Sequence, residues 1–486
     1  MIKKFLIKAK ALKPKLTTTE ISVDADKTPL GDGDHTVLDF GDHFVGKVKI
    51  KFSFVGSPPD APAFVKLKFC EHKSELDEDT TNYNGWISKS WIQEEYVHID
   101  DIPSELKLER RYAFRYIRID VINISSKYRL VAEKATVVSQ TSAKNEVKPY
   151  GEDETAKKID KVALRTLKNC MQYEFEDGPK RDRRLWLGDL RLQALANYET
   201  YNNYDLVKRC LYLFAGVSEK NGNIPACVFT RPRVIADDTF MFDYSLLFIP
   251  TLLDYFTATG DKATALELLP TALRQIEIAK ENFDGDVVRD SDKLGWCFID
   301  WSLELNKQCS AQAVYIFCEK SAIKLCSLLG VKTDELEEDV KRKTEAAISA
   351  FYDKNLNLFV SGKERQLSYA SNIWMCLADV TGKENSINIL ARLENTDAIR
   401  PVTPYLYHHY IQALIDAGAV DKAKKTMYDY WDGMVDAGAD TFWELYDPNN
   451  ADASPYGSRA VNNYCHAWSC TPSYFIRKYF TGGKND

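Results

Sequence analysis

The sequence predicts two parts: an N-terminal antiparallel β-sandwich over residues 1–146, then an all-α (α/α)6 toroid over residues 147–486. Three observations predict it. Short alternating or β-branched runs fill the first part, apolar residues recur at helical spacing from Asp153 onward, and the helical runs come in pairs separated by turn residues. A chain of 486 residues is also too long for one ordinary core.

Within the first part, Thr36–Phe40, Gly46–Phe54, Phe64–Phe69, Glu94–Ile99, Arg110–Val121 and Ala132–Val138 read as strands, with Gly, Pro, Asn and Asp between them. No run there has a helical period, which points to a sandwich. Lys and Glu at outward positions suit a sheet with one wet face. The role expected of this part is to pack over one side of its neighbour, with carbohydrate binding as the alternative.

The second part carries apolar residues at i, i+3, i+4 and i+7 in Thr155–Met171, Leu190–Tyr201, Tyr204–Phe214, Thr239–Ala258, Lys262–Lys280 and Lys307–Leu329. The pattern continues in Thr333–Phe351, Gln366–Val380, Lys383–Leu393, Pro404–Ala417, Val420–Val435 and Cys465–Tyr479. About twelve helices in alternating pairs close into a double ring, six inner and six outer, whose loops at one end line a deep cleft. An open helical solenoid is the alternative.

Composition narrows the function. Hydrophobic content of 45% and charged content of 28% are those of a globular protein. A net charge of −7 argues against nucleic acid or anionic membrane as partner. No run approaches the roughly 18 apolar residues of a membrane span, and Met1–Leu16 lacks the apolar core of a signal peptide. A cytoplasmic location is therefore expected. The 11 cysteines are an odd number, scattered without Cys-x-x-Cys spacing, and read as reduced core residues. Aromatics are in excess at 12%, and many fall near loop signals, where sugar rings find faces to stack on.

The loops carry the chemistry. Asp177-Gly-Pro-Lys-Arg-Asp-Arg-Arg-Leu-Trp-Leu-Gly-Asp189 fits no helix or strand period, yet packs three carboxylates, four basic heads and Trp186 into one segment. Asp237 or Asp238 is placed to cap the next helix. Asp243, inside an apolar and aromatic turn, needs a partner or a ligand. Asp300 lies between tryptophans in Gly295-Trp-Cys-Phe-Ile-Asp-Trp301, Glu444 follows Trp443 in Gly438-Ala-Asp-Thr-Phe-Trp-Glu444, and His466 opens the last helix. Acids set against aromatic walls suit glycoside hydrolysis, in which one protonated carboxyl donates to the leaving oxygen and an ionised carboxylate works on the other face. No metal-ligand spacing, Gly-rich phosphate loop or nucleophile elbow is present, so neither metal nor cofactor is expected. His408-His409 reads as a helix-surface pair.

The ordered set Asp177-Gly-Pro-Lys-Arg-Asp-Arg, Trp186-Leu-Gly-Asp189, Asp243-Tyr-Ser, Thr403-Pro-Tyr-Leu and Gly438-Ala-Asp-Thr-Phe-Trp-Glu444 resembles glycoside hydrolase family 78, the α-L-rhamnosidases. Leu38-Asp-Phe-Gly followed by Val45-Gly is similar to that family's N-terminal β-sandwich. The resemblance implies inverting hydrolysis of terminal α-L-rhamnosyl groups, with Asp182 as general acid and Glu444 as general base. Asp177, Arg181, Trp186, Asp189, Asp243, Asp300, Trp301, Trp443 and His466 would surround the sugar. Many members carry Glu where this chain has Arg183, and that Glu is commonly the proton donor; a shorter Lys-Arg-Asp-Arg variant of the motif leaves the Asp as donor. The implied partner is a carbohydrate, and relatives without extra domains suggest a homodimer. Two other readings share these features: an (α/α)6 hydrolase or lyase acting on another sugar such as an unsaturated uronide, and a non-catalytic carbohydrate-binding relative.

Overall fold

The computed structural model describes residues 2–450 and 453–481. It opens on a helix, α1 (Ile2–Ala11), in a part expected to have none. Phe5 and Ala9 on one face are buried, and Phe5 stacks on Tyr212 at 5.9 Å. Lys4 and Lys8 on the other face pair with Glu267. The lysines mask the apolar pair in so short a segment, so only its docking against the helical part reveals the helix.

Seven strands follow: β1 (Thr17–Asp24), β2 (His35–Gly56), β3 (Ala63–Cys70), β4 (Glu94–Ile99), β5 (Ser104–Lys107), β6 (Tyr112–Asn123) and β7 (Tyr128–Thr141). They form an antiparallel sheet in the order β1-β7-β2-β6-β3-β4, with β5 on β2. Two runs expected as separate strands are one long strand, β2. Its first half pairs with β6 (Leu38 opposite Ile117) and its second with β7 (Val48 opposite Val137). Gly46 sits where the partners change over, and a Cβ there would lie 2.2 Å from the Val138 carbonyl oxygen, so the crossing needs a bare Cα. Leu38, Val48, Ile50, Phe52, Leu67, Phe114 and Val137 are buried in one core, which is what the alternation of apolar residues along these strands encodes.

The rest is mainly helical, with short paired strands in the loops: α2 (Glu154–Cys170), α3 (Leu187–Tyr198), α4 (Tyr204–Gly216), α5 (Phe242–Thr259), α6 (Lys262–Lys280), α7 (Gln308–Leu329), α8 (Asp334–Phe351), α9 (Tyr369–Leu377), α10 (Lys383–Leu393), α11 (Pro404–Asp416), α12 (Val420–Asp436) and α13 (Pro472–Lys478). Side-chain caps from Asp153, Asn203, Asp261, Ser368 and Thr403 start five of them. The helix expected over Cys465–Tyr479 is broken into a 3-10 turn, Ala467–Cys470, and α13, whose first residue, Pro472, has no N–H to continue the turn before it. Helix α3 packs on α5, α5 on α7, α7 on α9, α9 on α11, and the 467–470 turn joins α11 back to α3. All eleven cysteines are free and buried, as the sequence suggests. Among the described residues no helix is long and apolar enough to cross a membrane.

Candidate active site

Where the loops before α3, α5 and α7 meet the segment after α12, a cavity of about 300 Å³ opens. Asp177, Arg181, Asp182, Asp189, Glu444 and His466 form its polar floor, with Trp186, Trp301, Tyr456 and Trp468 among its aromatic walls. Each of these groups is held by the local fold.

The 177–184 loop is closed by Asp177, whose N–H donates to the Arg184 carbonyl and whose carboxylate accepts from the Arg184 N–H, both at 2.9 Å. Between them Asp182 and Arg183 both take left-handed backbone angles (φ 64° and 53°), a costly pair for non-glycine residues and the kind of local strain that gathers at functional sites. That turn presents Asp182 to the cavity. Arg183 turns the other way, donating to the Lys180 and Arg111 carbonyls, so its side chain faces the sheet and not the cavity.

Arg181 organises the floor. Its guanidinium donates to the Val461 carbonyl at 2.8 Å, to Asp182 at 3.3 Å and to Glu444, and lies 4.1 Å from the Tyr456 ring centroid. Although burial disfavours its charge, Glu444, Tyr456 and the nearby aspartates hold it firmly protonated. The Tyr456 hydroxyl also donates to Glu444, and the Glu444 N–H is tied to the Asn463 carbonyl at 3.0 Å. Asp182 and Glu444 therefore touch opposite arms of one guanidinium.

Burial favours the uncharged forms of the remaining floor groups. Burial raises the Asp177 and Asp189 carboxyls well above the usual range, helped by the neighbouring carboxylates. Burial likewise holds His466 well below the usual imidazole value, with Arg181 adding to it. Asp189 Oδ1 and His466 Nδ1 stand 3.6 Å apart, and neither has a hydrogen-bond partner within the protein. Unpaired buried polar atoms beside a cavity are costly unless a ligand meets them. Among the described residues no cluster of His, Cys, Asp and Glu is suited to hold a metal ion.

Of the residues singled out in the sequence, Asp177, Arg181, Asp182, Trp186, Asp189, Trp301, Glu444 and His466 come together at this cavity. Three others lie behind its wall. Asp243 accepts from the backbone N–H groups of Phe298 and Ile299 at 3.0–3.1 Å and so shapes the Trp301 loop. Asp300, pushed up to about 6 by burial, accepts from the Val402 and Thr403 N–H groups and the Thr403 hydroxyl, fixing the start of α11. Trp443 packs on His72, Tyr446 and Tyr464. Neither Asp237 nor Asp238 caps α5, whose N-cap is Met241; Asp237 instead accepts from the Cys227 thiol and pairs with Arg184. His408 and His409 are buried in α11, not on its surface, because α9 and α13 cover that face. The sequence reading missed Tyr456, which follows Ser-Pro and precedes Gly457 in a turn, and the wall residues Trp86, Ile87 and Trp91, which come from the sheet. An isolated aromatic among turn residues was the only signal for them.

Comparison with known proteins bears on the family of both parts. Residues 5–139 match the N-terminal domain of glycosyl hydrolase family 78 alpha-rhamnosidases, and residues 151–480 match the bacterial alpha-L-rhamnosidase six-hairpin glycosidase domain. No curated protein sequence matches. Among solved structures, a rhamnosidase from Klebsiella oxytoca with rhamnose bound is 44% identical and superposes with a TM-score of 0.94 over 99% of each chain. A family 78 rhamnosidase of Bacillus sp. GL1 (18% identity, TM-score 0.79) covers 93% of this chain and 47% of its own. An α-L-rhamnosidase of Streptomyces avermitilis complexed with L-rhamnose (17%, 0.71) covers 96% and 44%. The last two share the fold over about half their length.

Proposed function

The chain belongs to glycoside hydrolase family 78, the rhamnosidases, and from that premise we propose that it hydrolyses terminal α-L-rhamnosyl groups with inversion of anomeric configuration. The observation that carries the reading is Asp182 and Glu444 on opposite arms of the Arg181 guanidinium, in a cavity whose homologue in the 44% identical relative belongs to a protein with rhamnose bound.

The chemistry assigns roles. Asp182, on its strained turn and the less enclosed of the two, donates a proton to the glycosidic oxygen. Glu444, receiving hydrogen bonds from Arg181 and Tyr456, acts as an acceptor and takes a proton from the attacking water. A guanidinium between the two suits the wide spacing, about 6.5–9.5 Å, that leaves room for that water. The buried floor of Asp177, Asp189 and His466, where burial favours the uncharged forms, meets the sugar hydroxyls. Asp189, whose carboxyl burial raises above the usual range, is the second choice of donor.

The same proposal includes the architecture. The cycle of packed helices from α3 round to the 467–470 turn supports an (α/α)6 toroid over an open solenoid. The shared core beneath both halves of β2 supports a β-sandwich, with the boundary near residues 146–147, between the end of β7 and the start of α2. Eleven free, buried cysteines suit a reducing cytoplasm. A homodimer belongs to the same proposal and is read from the mass in solution.

The test is proton NMR of the first product formed from an α-L-rhamnoside. Inversion predicts β-L-rhamnose first, with the α anomer rising only as the sugar mutarotates. The α anomer appearing first contradicts the assignment of Glu444 as base.

A further inference from the structure

A second cavity, of about 380 Å³, lies towards the other end of the same helices. The later turns of α5, α7 and α11 line it, with α3 and α13. Asp254 on its wall lies roughly 20 Å along α5 from Met241, which lines the first cavity. The most buried polar residues of the second cavity are His408 and His409, each 1% exposed. His409 Nδ1 donates to the Tyr405 carbonyl at 2.8 Å, which leaves Nε2 as an acceptor, and Nε2 has no partner. His408 Nδ1 has none either. Burial, then Arg191, holds His409 down to about 3, so that lone pair stays bare near neutral pH. Buried polar atoms left unpaired are costly unless something in the cavity meets them.

The charge around this cavity is not balanced. Arg191, Lys320, Lys324 and Lys478 line it against two carboxylates, Asp254 and Asp416. Both carboxylates are engaged, Asp254 by Arg191 Nε at 3.0 Å and Asp416 by the Gln412 amide at 2.9 Å. Lys320 donates to the Ala378 and Asp379 carbonyls at the end of α9. Asp254 and the Phe317 ring, 5.3 Å away, hold the Arg191 guanidinium in place. Its two terminal nitrogens have no hydrogen-bond partner among the described residues, and neither has Lys324 at the exposed rim. A fixed guanidinium fork with free donors matches a carboxylate or a phosphate.

We propose that this cavity binds a monosaccharide-sized organic anion bearing hydroxyls, its phosphate or carboxylate on Arg191 and Lys324 and a hydroxyl donating to His409 Nε2. The volume suits a small molecule and not a peptide or a nucleic acid. A bare inorganic ion would meet the cations and leave the histidines unpaired, and a neutral sugar would do the reverse. The site is separate from the cavity that holds Asp182 and Glu444, and it does not rest on the rhamnosidase reading.

The test is isothermal titration of the full chain with glucose 6-phosphate, gluconate, glucose and inorganic phosphate. One of the two hydroxylated anions is expected to bind at one site per chain with a Kd below about 1 mM, at least about tenfold tighter than glucose or inorganic phosphate. The tighter of the two identifies the acid group. Arg191→Lys, which keeps the charge and removes the fork, and Lys324→Glu are each expected to weaken it at least about tenfold. Lys324 is exposed, so Lys324→Glu is expected to keep the ligand-free melting temperature of the parent and to report on binding alone. No heat from either anion at about 10 mM, binding of glucose or inorganic phosphate as tight as that of the anions, or an affinity unchanged by Lys324→Glu overturns the site.

Discussion

Single residues decide the chemistry, and two of them make separable predictions. If Asp182 is the proton donor, Asp182→Asn loses at least about a hundredfold in kcat on an alkyl or aryl rhamnoside. It loses far less on rhamnosyl fluoride, whose leaving group needs no proton; steady-state rates on the two substrates check this. Asp189 makes its prediction through stability. Its carboxyl is raised by burial, then by Glu444 and Asp182, whereas an unfolded aspartate releases its proton near pH 4 (about 3.9). Above that value the folded state binds more protons than the unfolded one, so stability falls as pH rises towards the folded pKa. Asp189→Asn removes that titration. Its melting temperature is expected to match the parent's at about pH 4 and to exceed it by a growing margin up to about pH 8. A constant difference across that range contradicts the raised value. Both residues were legible in the sequence as acids beside tryptophan. What the sequence could not separate was acids that line the cavity from acids such as Asp243 and Asp300, which brace it by accepting backbone N–H groups. Burial beside an aromatic run looks the same for either.

Among the elements, the 177–184 loop depends on the sheet. Lys180 is buried and paired with Glu75, and it donates to the Asn462 carbonyl at 2.8 Å. Glu75 in turn accepts from the Glu71 and His72 N–H groups, and Glu71 from that of Tyr464 at 2.7 Å. One short turn of the sheet therefore holds the loops that carry Asp182 and His466. Glu75→Gln leaves the buried ammonium with the more distant Glu71 carboxylate, 4.0 Å away, and is expected to cost about 3 kcal/mol of stability, read by urea denaturation; a loss below about 1 kcal/mol, the size of an exposed pair, contradicts this account. The helices of the second part were readable because each carries its own period, and most ends fall within a few residues of those expected. The exceptions have local causes: Pro472 splits the last helix, and Gln366–Leu367 leave α9 to pair with Val360–Ser361. Helix α1 was invisible because four of its ten residues are lysines and its buried face is only Phe5 and Ala9.

For the whole molecule, the sheet and the helical part make one site between them. Arg111 grips Glu176 with two bonds of 3.0 and 2.7 Å, Arg115 reaches Asp440 near Glu444, and Trp86 and Trp91 stand at the mouth. These long-range pairs leave no periodic trace in a sequence, which is why a two-domain reading assigned the sheet to packing. A fragment lacking residues 1–141 is expected to be inactive and to expose buried apolar surface, seen as dye binding and aggregation; a fragment with parental kcat/KM contradicts a shared site. The central claim is that Asp182 and Glu444 work as an acid and base pair on an α-L-rhamnoside. The most direct measurement is hydrolysis of 4-nitrophenyl α-L-rhamnoside by the purified chain beside Asp182→Asn and Glu444→Gln. Turnover by the parent, with both variants slower by at least about a hundredfold, is the predicted result. An inert parent, or an Asp182→Asn variant that keeps its rate, contradicts it, the latter moving the donor to Asp189.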